Sequence, residues 1–237
     1  MPVLKSFFEL KYPRRVANSW IIHGGESQVK NAFNKLLLKI FLYSIKSKIM
    51  FQLKIIIAST RPERKGVSVA NWFIEIAKND SNFEIEVLDL AEINLPFMDE
   101  PNHPRLQKYT KEHTKEWSRT IDEADAFVFV IPEYNYSMPP TLLNAIDFLF
   151  KEWNYKPAAL VSYGGISGGL RSAQMCKLAI STVKMVPLFE GVSIPFFEKQ
   201  IDENGIFHGN EPEIKSAGIM LRELLKWTEA LKPMRNK

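Results

Sequence analysis

Five short strand-like runs alternate with helix-length segments along residues 51–237. The runs are Leu53–Ala58, Phe83–Leu88, Ala126–Ile131, Ala158–Ser162 and Phe189–Ile194. Neighbouring parallel strands need crossover connections, and those connections are normally helices. We therefore predict one α/β domain over residues 51–237, built on a five-stranded, doubly wound parallel sheet.

The second run differs from the others, because Phe83–Leu88 alternates apolar and acidic residues. Such alternation is typical of a strand with one face in solvent, whereas the continuous apolar run Ala126–Ile131 suits a central strand buried on both faces. The second strand therefore belongs at an edge of the sheet. The order 2-1-3-4-5, which is that of the flavodoxin-like fold, places it there.

Amphipathic spacing predicts the connecting helices. They are expected over residues 66–79, 106–123, 141–150 and 170–183, with a last helix that starts near Asn210 and Glu213. An Asn followed three residues later by a Glu resembles a capping box, in which each side chain accepts a hydrogen bond from the other residue's backbone N–H.

The first fifty residues form a separate, basic segment. They hold nine Lys or Arg against two Glu, a net charge of +7, so the remaining residues carry −3 of the total of +4. The lysine-flanked run Val29–Ile45 has the pattern of a basic amphipathic helix. A surface that binds nucleic acid needs clustered Lys and Arg on the folded domain. Because the main domain is mildly acidic, we predict no nucleic-acid partner.

Three interpretations of residues 1–50 stay open. A secretory signal fits poorly, because Glu9 and Arg14 lie where its apolar region should be. An organelle transit peptide or a membrane-surface helix fits the basic, acid-poor composition better. We favour a disordered or non-native extension upstream of a start at Met50, because a strand begins almost directly after that residue.

The composition also narrows the setting of the protein. No run approaches the roughly 18 apolar residues of a membrane span. The single cysteine, Cys176, allows no internal disulfide, so a reducing compartment, the cytoplasm, is the expected location. The four histidines lack the spacing of metal ligands, and we predict no metal site.

Polar or glycine-rich loops follow strands one, three and four, which are neighbours in the predicted sheet. In doubly wound sheets, ligands bind outside the carboxyl ends of the strands, where the strand order reverses. The first loop and the helix start after it offer hydroxyl and guanidinium groups that suit a phosphate; they are Ser59, Arg61, Arg64 and Ser68. A Walker loop is not indicated, because the order Lys65-Gly66 is reversed, and a G-x-G-x-x-G pattern follows no strand.

The other two loops suit a flat aromatic ligand. The second combines a rigid turn, a ring and an amide, which can stack on a planar ligand and read its polar edge; its residues are Pro132, Glu133, Tyr134 and Asn135. The third is rich in glycine, so its backbone can approach such a ligand closely; it begins Ser162, Tyr163, Gly164 and Gly165. Three such loops at adjacent strand ends predict one ligand site.

Over residues 51–200 these motifs resemble the NAD(P)H-dependent FMN reductases, a family with related quinone, azo and chromate reductases. The first loop is similar to the family's Gly-Ser-x-Arg phosphate loop, with Ala58 in place of the glycine. The stretch Pro132–Asp147 is similar to the most specific family motif, with Pro140 where glycine is usual and Leu143 where lysine is usual. The glycine-rich third loop resembles the motif that lines the isoalloxazine ring.

The resemblance implies non-covalently bound FMN, with the four named residues of the first loop around its phosphate and the other two loops around its ring. It implies an oxidoreductase that passes hydride from NAD(P)H to the flavin, and electrons to a small acceptor such as a quinone, an azo compound, free flavin or a metal oxyanion. Because the flavin supplies that chemistry, no catalytic side chain is expected. The resemblance also implies a homodimer or homotetramer with flavins near the subunit interface.

Two alternatives stay open at this point. One is a flavodoxin-like electron carrier, which would bind flavin without oxidising NAD(P)H; the net charge of −3 is small for the acidic docking face that such carriers more often show. The other is a regulatory or interaction protein that has lost its flavin. Steady NAD(P)H oxidation distinguishes the enzyme from the carrier, and failure to retain added FMN indicates the last alternative.

Overall fold

The computed structural model describes residues 50–80 and 83–235, together with Lys35. The extension predicted over residues 1–50 and its helix over 29–45 lie outside these residues, apart from Lys35 and Met50. Five parallel strands form one sheet in the order β2-β1-β3-β4-β5, which confirms the predicted fold and strand order. The strands are β1 (Phe51–Ile57), β2 (Phe83–Asp89), β3 (Ala126–Pro132), β4 (Pro157–Gly164) and β5 (Val186–Pro195).

The burial of the strands follows their sequence patterns. All seven residues of β3 are buried, as its continuous apolar run predicts. In β2, by contrast, Glu84, Glu86 and Val87 are exposed, while Phe83 and Leu88 are buried. This alternation agrees with the position of β2 at the edge of the sheet, where one face of the strand is in solvent.

Six α-helices are described, and they cover both faces of the sheet. They are α1 (Gly66–Asp80), α2 (Leu90–Ile93), α3 (Glu112–Asp122), α4 (Pro140–Asp147), α5 (Leu170–Thr182) and α6 (Glu211–Arg235), with 3-10 turns at Pro104–Leu106, Lys151–Trp153 and Phe197–Gln200. On one face, side chains of α1 and α6 such as Phe73 and Leu221 form an apolar core with the sheet. On the other face, Trp117 of α3, Leu142 of α4 and Cys176 of α5 form a second core. The sheet is thus buried on both sides, and its ligand-binding edge lies where the strands end.

The helix predicted over residues 106–123 begins only at Glu112. The backbone of Gln107 is left-handed, with φ 52°, and ends the preceding 3-10 turn. The N–H groups of Thr110 and Lys111 then donate to the carboxylate of Glu100, so they do not join a helical ladder. Burial would raise the pKa of Glu100, but these hydrogen bonds outweigh it and lower the pKa to about 2. A carboxylate from an earlier loop therefore replaces one turn of the predicted helix.

The last helix starts where the capping box predicts. The N–H of Glu213 donates to the Oδ1 of Asn210 at 3.0 Å, and the N–H of Asn210 donates to the Oε2 of Glu213 at 2.9 Å. This reciprocal pair satisfies two backbone donors that the first turn of a helix leaves without partners. None of the helices in residues 50–80 and 83–235 combines the length and the hydropathy of a transmembrane span.

Candidate active site

The loops after β1, β3 and β4 meet at the carboxyl edge of the sheet. The N–H of Ala58 donates to the carbonyl of Val130 at 3.1 Å, and the N–H of Glu133 donates to the carbonyl of Tyr163 at 3.2 Å. The hydroxyl of Thr141, in the first turn of α4, donates to the carbonyl of Ala58 at 2.8 Å. The three loops predicted from the sequence are therefore brought together, because their strands are adjacent.

Two buried hydroxyl groups lie beside the first residue of α1. The side chain of Ser59 is buried, and its Oγ has no hydrogen-bond partner among the described residues. A Cβ built on Gly66 would lie 2.0 Å from the hydroxyl of Tyr163 and 2.6 Å from this Oγ, so both groups pack directly against the helix start. Burial raises the pKa of Tyr163, which keeps its hydroxyl protonated. Hydroxyl donors at the start of a helix suit an anionic group.

The two arginines of the first loop have different surroundings. Arg64 donates through Nη1 and Nη2 to both carboxylate oxygens of Asp89, at 2.7 and 2.5 Å, and through Nη1 to the carbonyl of Ser59 at 2.7 Å. Its hydrogen bond to Asp89 raises the pKa of Arg64. Arg61 is exposed, lies 5.9 Å from the ring centroid of Tyr134, and forms no ion pair with any described residue. Arg61 is therefore free to bind an anion, whereas the guanidinium of Arg64 is already occupied.

Ser68, the fourth residue predicted for the phosphate, is half-buried in α1. Its hydroxyl donates to the carbonyl of Gly205 at 2.7 Å, in the turn that connects β5 to α6. The structure thus gives this hydroxyl a protein acceptor, and a ligand phosphate would compete with Gly205 for it.

The second loop forms a tight turn after β3. The N–H of Tyr134 donates to the carbonyl of Ser137 at 3.0 Å, and the N–H of Ser137 donates back to Tyr134 at 2.9 Å. The two central residues, Asn135 and Tyr136, are left-handed, with φ 50° and 66°. Tyr134 is half-buried, whereas Asn135 is exposed. Pro132 is buried at the end of β3, and its carbonyl accepts a hydrogen bond from the hydroxyl of Ser172 in α5 at 2.8 Å.

The third loop turns two of its predicted residues inward and two outward. The hydroxyl of Ser162 is buried and donates to the carbonyl of Gly168 at 2.9 Å. The ring of Tyr163 packs edge-on against Phe197, with ring centroids 4.7 Å apart. Gly164 is half-buried and Gly165 is exposed, and a Cβ on Gly165 would have no atom within 4 Å. The open backbone at Gly165 therefore leaves room for a flat ligand.

The carboxylate of Glu133 connects the second loop to the third. It accepts hydrogen bonds from Ser167 Oγ at 2.8 Å, from the backbone N–H of Arg171 at 3.1 Å and from Arg171 Nη1 at 2.9 Å. Burial would raise the pKa of Glu133, but these hydrogen bonds and the positive charge of Arg171 lower it. The position of Glu133 in the second loop is evident from the sequence, but the partners of its side chain are not, and neither is Asp89, the partner of Arg64.

The site has the features of a binding site for a ligand that carries an anionic group and a flat ring. The buried Ser59 hydroxyl and Arg61 offer donors for the anion, and the backbone around Gly165 has no side chain to block a ring. Across residues 50–80 and 83–235, no three His, Cys, Asp or Glu side chains come together as metal ligands.

Comparisons with known proteins give a consistent result. Residues 52–199 match the family described as NADPH-dependent FMN reductase. An NAD(P)H-dependent FMN reductase of Schizosaccharomyces pombe is 39% identical over 151 residues, which cover 62% of this chain and 76% of the relative. An NAD(P)H:quinone oxidoreductase of Solanum tuberosum is 39% identical over 112 residues, covering 43% of this chain and 53% of the relative.

The solved structure of FerB from Paracoccus denitrificans, a flavoenzyme NAD(P)H:(acceptor) oxidoreductase, is similar in fold. Its TM-score is 0.61 at 20% sequence identity, and the match covers 77% of this chain and 99% of FerB. At this identity the likeness supports the fold, which agrees with the sheet order observed here.

Proposed function

The chain belongs to the NADPH-dependent FMN reductase family and is an oxidoreductase that uses NAD(P)H and FMN, and on that premise we propose that FMN binds where the loops after β1, β3 and β4 meet. The observation that carries this proposal is the buried hydroxyl of Ser59, which has no hydrogen-bond partner among the described residues and lies beside Gly66, the first residue of α1. Family membership also favours an enzyme over the electron carrier and the flavin-free protein that the sequence left open.

The first loop would hold the phosphate of FMN. Ser59 would donate its free hydroxyl, and Arg61 would add a charge-assisted hydrogen bond, because its guanidinium has no acidic partner among the described residues. Arg64 would act mainly on the loop itself, since it ties the carbonyl of Ser59 to Asp89. Ser68 would join the phosphate only by giving up its hydrogen bond to Gly205.

The other two loops would hold the isoalloxazine ring. The turn that contains Tyr134 and Asn135 would line one edge, and Gly164 and Gly165 would let the backbone approach the ring closely. Pro132, Glu133, Ser162 and Tyr163 would support these surfaces, because their side chains or carbonyls already have protein partners.

When bound, FMN would accept hydride equivalents from NAD(P)H and pass electrons on to an acceptor. The protein's own part would be to bind and orient the two substrates and to supply hydrogen bonds. The hydroxyls of Tyr134 and Tyr163 have pKa values raised by burial, so they are available as hydrogen-bond donors and not as acids.

We propose a quinone as the acceptor class. The Solanum tuberosum relative is named for quinones, and two large apolar side chains are exposed beside the proposed ring site. Tyr136 is 67% exposed in the second loop, and Ile166 is 78% exposed in the third. A planar, apolar acceptor could contact both, whereas a metal oxyanion would gain little from them.

We also propose that the chain forms a homodimer through a patch of exposed apolar side chains near α4. Phe97 is 87% exposed, and Met98 and Leu143 are each 40% exposed. The side chain of Asn144 fixes the segment, because its Oδ1 accepts from the N–H of Met98 at 3.0 Å and its Nδ2 donates to the carbonyl of Pro96 at 2.7 Å. An ordered, exposed apolar patch is typical of an interface.

Light scattering of wild type and of Phe97→Ser tests the proposed dimer. We expect wild type to be a dimer and the variant to dissociate. A monomeric wild type would contradict the proposal.

The visible spectrum tests the function directly. The purified protein would be mixed with FMN, freed of excess, and treated with NADPH without oxygen. We expect retained yellow colour that bleaches on NADPH and returns when a benzoquinone is added. Retained colour that NADPH does not bleach would favour an electron carrier, and failure to retain flavin would contradict the proposal.

The variant Arg61→Ala tests the position of the phosphate. Hydrogen bonds to charged groups contribute about 1.5–3 kcal/mol, and because Arg61 is exposed we expect the lower end, about a tenfold rise in the Kd for FMN. The matched control is Arg119→Ala, which removes an exposed arginine of α3. Affinity for riboflavin, which lacks the phosphate, should change little in either variant. An equal loss for FMN and riboflavin would contradict a phosphate contact.

A further inference from the structure

We propose that Arg171 is a positioning residue that holds the turn of residues 134–137 in the conformation that receives FMN, an inference that rests on the proposed function. Arg171 lies in the first turn of α5, after the glycine-rich loop. Its Nη1 donates to Glu133 Oε1 at 2.9 Å, and its backbone N–H donates to Glu133 Oε2 at 3.1 Å. Its guanidinium also lies over the ring of Tyr136, 4.1 Å from the centroid.

The turn needs such support because its two central residues are left-handed. Asn tolerates this conformation comparatively well, but at Tyr136 the side chain makes a φ of 66° unfavourable. The ring of Tyr136 is 67% exposed, so burial in the core does not hold it. A cation–π contact with the guanidinium of Arg171 holds the ring instead.

One guanidinium therefore contacts both sides of the turn. Glu133 precedes the turn and Tyr136 lies at its tip, and Arg171 touches the carboxylate of the first and the ring of the second. A planar guanidinium can donate hydrogen bonds in its plane and stack with its face at the same time, which an ammonium group cannot do. Arg171 is thus suited to fix the distance between the second loop and the start of α5.

The same contacts couple the second loop to the third. Glu133 also accepts a hydrogen bond from Ser167, which lies in the glycine-rich loop, at 2.8 Å. The loops thus share one acidic side chain, and movement of the turn would disturb both walls of the proposed ring site. Arg171 acts on the ring through Glu133 and Tyr136, so it need not contact FMN itself.

A double-mutant cycle on FMN affinity tests the inference. The variants are Arg171→Met, Tyr136→Ala and the double variant, and the Kd for FMN is measured by quenching of flavin fluorescence. We expect each single variant to weaken binding about fivefold. The double variant should be no weaker than Arg171→Met, because Arg171→Met already loses the contact that Tyr136→Ala removes. Losses that multiply to about 25-fold would overturn the inference, as would an unchanged Kd in Arg171→Met.

Further variants separate positioning from general stability. Arg171→Lys keeps the charge but not the planar fork, so we expect only partial recovery of affinity. Lys226→Met is the matched control, because it breaks an exposed ion pair with Glu223 in α6 and should leave FMN binding unchanged. Visible circular dichroism of bound FMN should change in Arg171→Met and not in the control. An unchanged flavin signal in Arg171→Met would count against positioning.

Failure of this inference can be told apart from failure of the proposed function. If wild type does not retain FMN, the proposed site is wrong and the inference falls with it. If wild type retains FMN and Arg171→Met binds it equally well, the site stands and only the role of Arg171 is overturned.

Discussion

The substitution Gly66→Ala tests the packing of the proposed phosphate loop. Its methyl carbon would lie 2.0 Å from the hydroxyl of Tyr163 and 2.6 Å from the Oγ of Ser59. Ordinary contacts begin near 3.4 Å, so Tyr163 or the helix start must move by about 1.4 Å. Tyr163 cannot swing into solvent easily, because it is 3% exposed and packs against Phe197.

The expected effect combines overpacking with helix propensity. Overpacking of a buried site typically costs about 1–3 kcal/mol, and alanine recovers up to about 1 kcal/mol over glycine inside a helix. At the first helical residue that recovery is smaller, so the free energy of unfolding should fall by about 1–2 kcal/mol in urea titrations of the apoprotein. FMN affinity should fall as well, because the displaced hydroxyl groups of Ser59 and Tyr163 border the proposed phosphate site.

Two other glycine substitutions are matched controls. A Cβ on Gly209 would lie 2.5 Å from the ring of Trp72, so Gly209→Ala should lower stability without weakening FMN binding. A Cβ on Gly165 would meet no atom within 4 Å, so Gly165→Ala should leave stability unchanged and weaken only FMN binding. Unchanged stability and affinity in Gly66→Ala would refute the packing described here. An equal loss of affinity in Gly209→Ala would show that destabilisation alone explains it.

Substitutions at three further residues test other contacts. Burial lowers the pKa of Lys156 to about 7, so above pH 7 the unfolded chain binds a proton that the folded chain does not. Between pH 7 and 9 the free energy of unfolding of wild type should therefore rise by about 2 kcal/mol relative to that of Lys156→Met. An equal difference between the urea unfolding curves of the two proteins at both pH values would contradict this. Asn210→Ala removes the cap of α6 and should cost about 1 kcal/mol, whereas Asn210→Ser should cost much less, both measured by urea unfolding. Asp89→Asn removes the charge that holds Arg64, so it should lower the free energy of unfolding by about 2 kcal/mol and weaken FMN binding. Full affinity at unchanged stability would show that Arg64 needs no such partner.

The sheet could be predicted because its determinants are local in the sequence. The alternation in Phe83–Leu88 identifies an edge strand, and the continuous run Ala126–Ile131 identifies a central one. The late start of α3 could not be predicted in this way. It depends on Glu100, whose carboxylate binds the N–H groups of residues ten and eleven positions further along. No periodic pattern reports such a contact.

The meeting of the three loops could be predicted from topology, whereas the contacts of their side chains could not. Loops after adjacent parallel strands must meet at one edge, which is why residues from three distant stretches come together. The partner of Arg64 is Asp89, at the end of β2, a strand that precedes none of the three predicted loops. The acceptor of the Ser68 hydroxyl, Gly205, lies beyond β5. Both depend on side-chain reach between elements, and residue types alone do not reveal it.

Arg61 and Arg64 show how such partners separate residues that look equivalent in the sequence. Both belong to the loop after β1, and both suit a phosphate by type. The bidentate pair with Asp89 offsets the charge of Arg64 and makes its guanidinium part of the scaffold. Arg61 forms no ion pair within the described part of the chain, so its charge is available to a ligand. Loss of Arg61 should therefore change FMN affinity with little effect on folding, whereas loss of Arg64 should lower stability first and affinity as a consequence.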